Sequence, residues 1–401
     1  MSLAIPDRTA VIVGIGETEL GRVPNRTTMV LYFDAAVAAI TDAGLSKDEI
    51  DGVLCIHPVL ADTPRFHMFF TERMGMFAKT MCDSLTIGGA SPGHGLQVAR
   101  WAVESGQCRA VLLLGAESLL SGPGGTSGGG VEAYATLGAH SLEFEYPYGA
   151  HIPAFYALLA QRYMYEFGTT SEQLANIAVA CRKHAALNPK AQMRQPITVA
   201  DVLASKLVST PLRKLDCSLI SDGGAAVIVT SLARARDLPR PPIRILGIGE
   251  AHSTYHMGHL VRGDGQFNLV NTVCQIAAKR AFNEAGLRPA DVDVAQIYDS
   301  FTITAMIQLE EIGFCGKGEG GDFVSNGRIE LGGALPINTH GGLLSCAHPG
   351  VPGGLLHMVE AVRQLRGTAG PRQVHGARVA LSTNASAVAS NFSMALLGSD
   401  R

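Results

Sequence analysis

Residues Ala38–His57 read AAITDAGLSKDEIDGVLCIH, and residues Arg280–Asp299 read RAFNEAGLRPADVDVAQIYD. At one fixed offset Ala43-Gly44-Leu45 falls on Ala285-Gly286-Leu287, and Asp51 falls on Asp293. Each copy has the same physical grammar. An amphipathic helix stops at a glycine, because only glycine enters the left-handed cap conformation without penalty. A short polar turn follows, and in the first copy Ser46 and Glu49 have the spacing of a capping box. A β-branched run then predicts a buried strand.

A second pairing follows in the same order. A helix over Val98–Gly106 leads to the strand that starts at Ala110, and a helix over Leu355–Gly367 leads to the strand that starts at Ala377. Helix and strand thus alternate twice, which predicts an α/β protein with mainly parallel sheets and right-handed crossovers. Two similar βαβαβ-type halves follow, 1–240 and 241–401, with the Pro-rich run Leu238–Pro242 as the extended join. The stretch from about 120 to 215 has no counterpart in the second half. It opens with a glycine-rich loop, Ser121–Gly130, and continues with an aromatic helix over Pro153–Phe167. Such insertions often wall a binding site.

Composition narrows the function classes. Of 401 residues, 47% are hydrophobic and only 17% charged, and the net charge is −3. That charge and the lack of a basic stripe argue against a nucleic-acid partner. No apolar run has the length of a membrane span, and Met1–Arg8 has no secretory pattern. The 8 cysteines are scattered without a CxxC pair, which predicts reduced thiols in a cytoplasmic protein and no metal site. Gly14-Ile-Gly16 resembles a dinucleotide turn, but Glu19 stands where the third glycine belongs.

Three places hold side chains suited to chemistry. Tyr298-Asp299-Ser300-Phe301 closes a buried strand, where α/β sheets bind ligands. Tyr298 is the candidate there, and Asp299 reads as a cap for a helix over Thr302–Ile312. Asn338–Gly350 gathers Asn338, His340, Cys346 and His348, with imidazoles suited to acid/base work; Cys346 is either packed or reactive. Gly88–Gly93 precedes a helix whose first N–H groups favour negative charge. Ser91 reads there as its N-cap with Pro92 at N1.

These residues resemble the thiolase superfamily. NTHGGLLSCAHPGVPGGLLHMVEAVRQLRG, from Asn338, is similar to the signature in which Asn-x-x-Gly-Gly leads to Gly-His-Pro, with Ala347 here replacing the last glycine. YDSFTITAMIQLEEIGF, from Tyr298, followed by KGEGGDFV, is similar to the His-Asp-Cys-Phe region of sterol-carrier-protein-type thiolases. The resemblance implies a layered α/β/α/β/α core, a homodimer, and an acyl-CoA substrate with coenzyme A as part of it and no tightly bound cofactor. It implies His348 as the catalytic base and Tyr298 at the position that polarises the thioester carbonyl, with His340 a further catalytic candidate. Gly89, Ser91, Asn338, Gly342 and Asn384 become the oxyanion or substrate-binding positions.

The departures set the chemistry. Counting back from Gly106 puts Gly89 where thiolases carry the nucleophilic cysteine, and Ser382-Thr-Asn384-Ala where they carry the second one. Glycine has no nucleophile for acyl transfer, so non-covalent carbon–carbon chemistry of the retro-aldol type is expected. Thiolase-like aldolases of steroid side-chain degradation resemble this chain in both the missing cysteine and Tyr-Asp-x-Phe, but tend to carry Tyr at the place of His348. Proteins of this type are often paired with a small OB-fold, zinc-containing partner. The rival readings are an acetyltransferase using Cys82 or Cys346, and a non-catalytic acyl-CoA or lipid carrier.

Overall fold

The structure, a computed structural model, describes residues 8–59, 63–77, 79–122, 151–254, 257–262 and 267–399, together with 143, 145, 147 and 149. The glycine-rich loop from 123 to 130 lies outside the described residues, as do residues 1–7. In the N-terminal half the strands are β1 (Ala10–Glu17), β2 (Gly52–Ile56), β3 (Met81–Leu85), β4 (Ala110–Ser118), a small hairpin of β5 (Leu207–Ser209) and β6 (Leu212–Arg213), and β7 (Asp222–Ser231). The rest are β8 (Ile243–His252), β9 (Val294–Gln296), β10 (Val379–Ser386) and β11 (Asn391–Gly398). The principal helices are α1 (Thr28–Ala43), α2 (Phe66–Met74), α3 (Ser91–Glu104), α4 (Ile152–Phe167), α5 (Ser171–Ala186), α6 (Cys274–Ala285), α7 (Thr302–Ile312) and α8 (Gly353–Arg366).

Nine strands form one sheet in the order β3-β2-β4-β7-β1-β8-β11-β10-β9. The two halves meet where β1 and β8 pair through Val11–Arg244 and Ile12–Ile243. Alternation along β1 shows the layering. Val11 and Val13 face outward onto α1 and α2, while Ile12 faces inward onto α3 and α8. The helices α3 and α8 also pack on Ala395 and Leu397 of the other half, so they form the middle layer. On the far side α6, α7 and the insertion helix α4 cover Leu381, Phe392 and Leu396. The N- and C-terminal halves of this continuous sheet thus make two layers, and the result is the expected sequence of helix, sheet, helix, sheet, helix. Among the described residues no helix is long and apolar enough to cross a membrane.

The expectation of mainly parallel pairing is corrected. Among the described strands only β2–β3, β2–β4 and β9–β10 pair parallel; β7 and β11 insert antiparallel beside β4 and β10.

The duplicated segments do the same work twice. Gly44 and Gly286 close α1 and α6 at φ of 68° and 65°. Glu49 accepts the Ser46 N–H at 2.8 Å, and Asp291 accepts the Arg288 N–H at 2.7 Å. Asp51 accepts the Arg109 and Ala110 N–H groups at 2.8 and 3.0 Å. Asp293 accepts those of Arg378 and Val379 at 2.8 and 2.9 Å. A further repeat, missed by the reading above, is Gly14-Ile-Gly16-Glu17 against Gly247-Ile-Gly249-Glu250. An added Cβ at Gly14 or Gly16 would lie 2.5 Å from the carbonyl oxygen of Ala39 or Ala35, and one at Gly249 would lie 1.8 Å from that of Ala277. Both pairs of glycines let a helix lie close on a strand, which accounts for the Gly-x-Gly without a nucleotide.

Candidate active site

Four segments converge at the ends of the middle-layer helices: the turn before α3, the chain after β9, the end of β10, and the loop that feeds α8. Tyr298 leaves β9 fixed by its main chain. Its N–H donates to Thr383 Oγ1 at 2.9 Å, and its carbonyl accepts from Gln308 Nε2 at 2.7 Å. The phenol is buried, and its hydroxyl lies 3.4 Å from His348 Nε2. His348 is held from behind. Its N–H donates to Ser221 Oγ at 2.9 Å, and its Nδ1 lies 2.8 Å from Ser218 Oγ. Burial pushes the imidazole down to about 4, with only a main-chain contact to Leu219 opposing it, so at neutral pH it is an uncharged base.

Gly89 completes the arrangement. A Cβ added there would lie 2.3 Å from the carbonyl oxygen of Ala385 and 2.7 Å from the Tyr298 hydroxyl. The tyrosine oxygen therefore occupies the space a side chain at 89 would enter.

The other candidates divide. Asn384 is fully buried on β10, and neither amide atom has a hydrogen-bond partner among the described residues. Its oxygen abuts Gly354 and its nitrogen faces Gly93, so it sits between the first turns of α3 and α8. The Ser91 hydroxyl is also buried without a partner. The N-cap of α3 is Ala90, one residue earlier than expected, so Ser91 occupies the first helical turn and caps nothing. Asn338 is committed to main chain: its Oδ1 accepts the Ile297 N–H at 2.6 Å and its Nδ2 donates to the Ile297 carbonyl at 2.8 Å.

Asp299 does not cap α7, whose N-cap is Phe301 without a side-chain bond. Its carboxylate accepts the Leu343 N–H at 2.7 Å and the Leu344 N–H at 3.3 Å, anchoring a π-helical turn over Gly342–Cys346. A Cβ at Gly342 would lie 2.0 Å from that carboxylate. Burial raises Asp299 to about 6, against the pull of those two N–H groups. His340 lies one layer behind, its Nδ1 donating to Gln296 Oε1 at 3.1 Å and its ring edge-on to His357 at 5.0 Å. Burial holds His340 at about 3.

Sequence reasoning missed Ser218, Gln308, Thr383 and His357. His357 is fully buried on α8, with Nε2 3.5 Å from Asp299 Oδ1 and its ring 6.2 Å from that of Tyr298. Only the histidine itself, inside an apolar helical pattern, could have signalled it.

The rival thiols lie elsewhere. Cys82 packs on the outer face of its sheet with the α1 and α2 cluster. Cys346 is buried beside Asn188, whose Nδ2 lies 3.5 Å from the sulfur, and burial raises its thiol far above the usual range. Among the described residues no group of three or more His, Cys, Asp or Glu side chains is arranged to hold a metal ion.

Comparison with known proteins gives the family and the fold. The family description "Thiolase, N-terminal domain" matches residues 10–233, and "Thiolase C-terminal domain-like" matches residues 251–399. A "17-hydroxy-3-oxo-4-pregnene-20-carboxyl-CoA lyase" of Mycobacterium tuberculosis is 39% identical over 90% of this chain and 92% of its own length. A "Steroid side-chain-cleaving aldolase" of Thermomonospora curvata is 37% identical over 90% of each. An "Acetyl-CoA acetyltransferase" of Methanothermobacter thermautotrophicus is 33% identical over 94% of this chain and 96% of its own. Among solved structures, an "Ltp2-ChsH2(DUF35) aldolase" superposes with a TM-score of 0.85 at 35% identity, covering 99% of both chains.

Proposed function

The chain belongs to the thiolase family, and from that premise we propose that it is a carbon–carbon lyase acting on β-hydroxyacyl-CoA thioesters by a retro-aldol step. The observation that carries this reading is the Tyr298 hydroxyl in the space left by Gly89, in contact with a neutral His348. The lyase and aldolase names of two relatives support it. The acetyltransferase relative is named for acyl transfer, and the site supports the lyase reading over it because Gly89 brings no thiolate.

In the proposed step Tyr298 takes the proton of the substrate's β-hydroxyl as it passes its own to His348 Nε2. The Cα–Cβ bond breaks, a carbonyl forms at Cβ, and the electron pair moves into the enolate of the thioester. Protonation at Cα by the charged dyad returns the acyl-CoA product and restores both groups. Ser218 Oγ lies against Nδ1, and Nε2 is the ring nitrogen that faces the Tyr298 hydroxyl, so Nε2 is the proposed acceptor. Enolate oxygen needs preorganised donors, and the proposed ones are the Asn384 amide and the main-chain N–H at Gly89. Asn338, Gly342 and His340 position the loop. Coenzyme A enters as part of the substrate, over the insertion that contains α4.

A homodimer is part of the reading, through β3, which is the outer edge of the sheet. A small OB-fold partner is another part, in keeping with the two-component name of the solved aldolase. The setting is cytosolic.

The test is turnover of a β-hydroxyacyl-CoA by the chain with its co-purified partner. Tyr298→Phe and His348→Ala are expected to lower kcat by about 10²–10⁴-fold, the usual worth of a positioned acid or base. Intact mass after incubation with acetyl-CoA is expected to show no acyl adduct. A stable adduct that disappears in Cys82→Ala would overturn the lyase reading.

A further inference from the structure

Between β10 and β11 the chain turns through Ala387, Val388 and Ala389, and all three lie in the left-handed region at φ of 49°, 49° and 61°. That region favours glycine, and a β-branched residue there is an outlier. Tight hairpins that need it ordinarily carry Gly, Asn or Asp.

The surroundings enforce the turn. Ser386 pairs with Asn391 across the ladder, and the Ser390 N–H reaches the carbonyls of Ser386 and Ala387 at 3.3 and 3.2 Å. Ser386 Oγ donates to the Ile87 carbonyl at 3.0 Å, which ties the turn to the segment before Gly89. The Ser253 N–H donates to the Ser390 carbonyl at 2.8 Å, and the Tyr156 hydroxyl meets the Ala389 main chain. Val388 and Ala389 are buried in one apolar cluster with Tyr156, Tyr298 and Phe301. Tyr156, from the insertion, stacks on Phe301 at 4.4 Å. The turn thus joins three walls: the start of α3, the chain after β9, and α4.

Strain retained beside a site points to use. We propose that this turn is the specificity wall of the acyl site, with Val388 as the residue that limits the bulk of the apolar skeleton carried on the reacting carbons. The inference rests on the acyl-CoA site proposed above. Glycine at 388 would remove the buried apolar side chain from the wall. Ala387, Val388 and Ala389 hold instead a fixed apolar face.

The experiment measures dissociation constants for two CoA thioesters without a β-hydroxyl, so that no turnover is needed: butyryl-CoA and a fused-ring polycyclic carboxyl-CoA. Val388→Gly is expected to tighten the polycyclic ligand relative to butyryl-CoA by about tenfold, and Val388→Leu to loosen it similarly, the scale of a few carbons in an apolar pocket. Ala387→Gly relaxes the same turn without removing a buried side chain, and the ratio is expected to stay within about twofold of wild type, well under that scale. Melting temperatures check folding, and Val388→Ala replaces the glycine variant if that one does not fold. An unchanged ratio in the Val388 variants, or an equal shift in Ala387→Gly, overturns the proposal. Wild-type protein that binds neither thioester sinks the acyl-CoA site and the wall with it. A ratio that moves in protein without lyase turnover leaves the wall standing and removes the lyase.

Discussion

Gly89 and Tyr298 must be considered together, because the space of one is filled by the other. Restoring the thiol with Gly89→Cys would not restore a thiolase: the new Cβ would meet the Ala385 carbonyl and the Tyr298 hydroxyl at 2.3 and 2.7 Å. The expected outcome is a folded protein with no acyl adduct and a kcat lower by about 10²-fold, the cost of moving a reacting group by roughly an ångström. Steady-state kinetics and intact mass check it; an active, acylated variant would sink the idea that the two positions share one space. Ser218→Ala is expected to lower kcat by up to about 10²-fold with little change in KM, because it frees the imidazole it now holds at 2.8 Å. Tyr298 and His348, which the structure brings together at 3.4 Å, were legible as candidates because each stands in a dense motif. Ser218 was not, since it reaches His348 from 130 residues away and an isolated serine has no pattern of its own. Asn338 misled because an amide in a motif looks like a ligand group, whereas here it serves the Ile297 main chain.

The loop feeding α8 is an element built around one carboxylate. Asp299 holds the Leu343 and Leu344 N–H groups, and the π-helical turn they define leads directly to His348. Gly342 makes that approach possible, at φ 63° and with no room for a Cβ. Gly342→Ala combines a left-handed alanine with a 2.0 Å collision. A loss of about 2–4 kcal/mol is expected, by analogy with overpacked cores and left-handed penalties, together with a fall in kcat. Urea unfolding checks the first and kinetics the second; a variant of wild-type stability would show that Asp299 does not organise the turn. At this scale the helix ends were the most legible feature, because a C-terminal glycine is a local signal. Strand direction was the least. The β10–β11 hairpin turns on Ala-Ser-Ala-Val-Ala-Ser, which contains no Gly, Pro, Asn or Asp, so the antiparallel return of β11 left little mark in the sequence.

For the whole molecule, the resemblance to the thiolases made the five layers legible, but the charges shut inside them were not, because burial is a property of the assembled fold. Four of these groups show how burial makes stability respond to pH. His340 and His348 are held at about 3 and about 4 by burial, below an unfolded value of 6.5. The unfolded chain binds their protons more readily, so they destabilise the fold as pH drops from 6.5, and their effect is complete above it. Glu117 and Glu311 act in the opposite sense, raised by burial from 4.5 to about 8 and about 7. Between the unfolded and folded values the native state keeps a proton the unfolded chain has lost, so stability falls as pH rises through that window and levels off beyond it. Glu117 is 1% exposed at the end of β4; one oxygen accepts the Val59 N–H at 2.8 Å, and the other has no hydrogen-bond partner among the described residues. Above about pH 7.5, roughly one unit past the unfolded histidine value, only the two carboxyls among these four groups still act. The wild-type unfolding free energy is expected to fall there by up to about 1.4 kcal/mol per pH unit for each proton retained. Glu117→Gln keeps the shape of the neutral acid and cannot ionise. Its unfolding free energy, from urea titrations at pH 6.5, 7.25 and 8, is therefore expected to decline less steeply and to exceed the wild type at pH 8. Parallel slopes for the two proteins would mean that Glu117 is already ionised at neutral pH, and that the fold holds a buried charge at the end of β4 where a neutral acid is inferred.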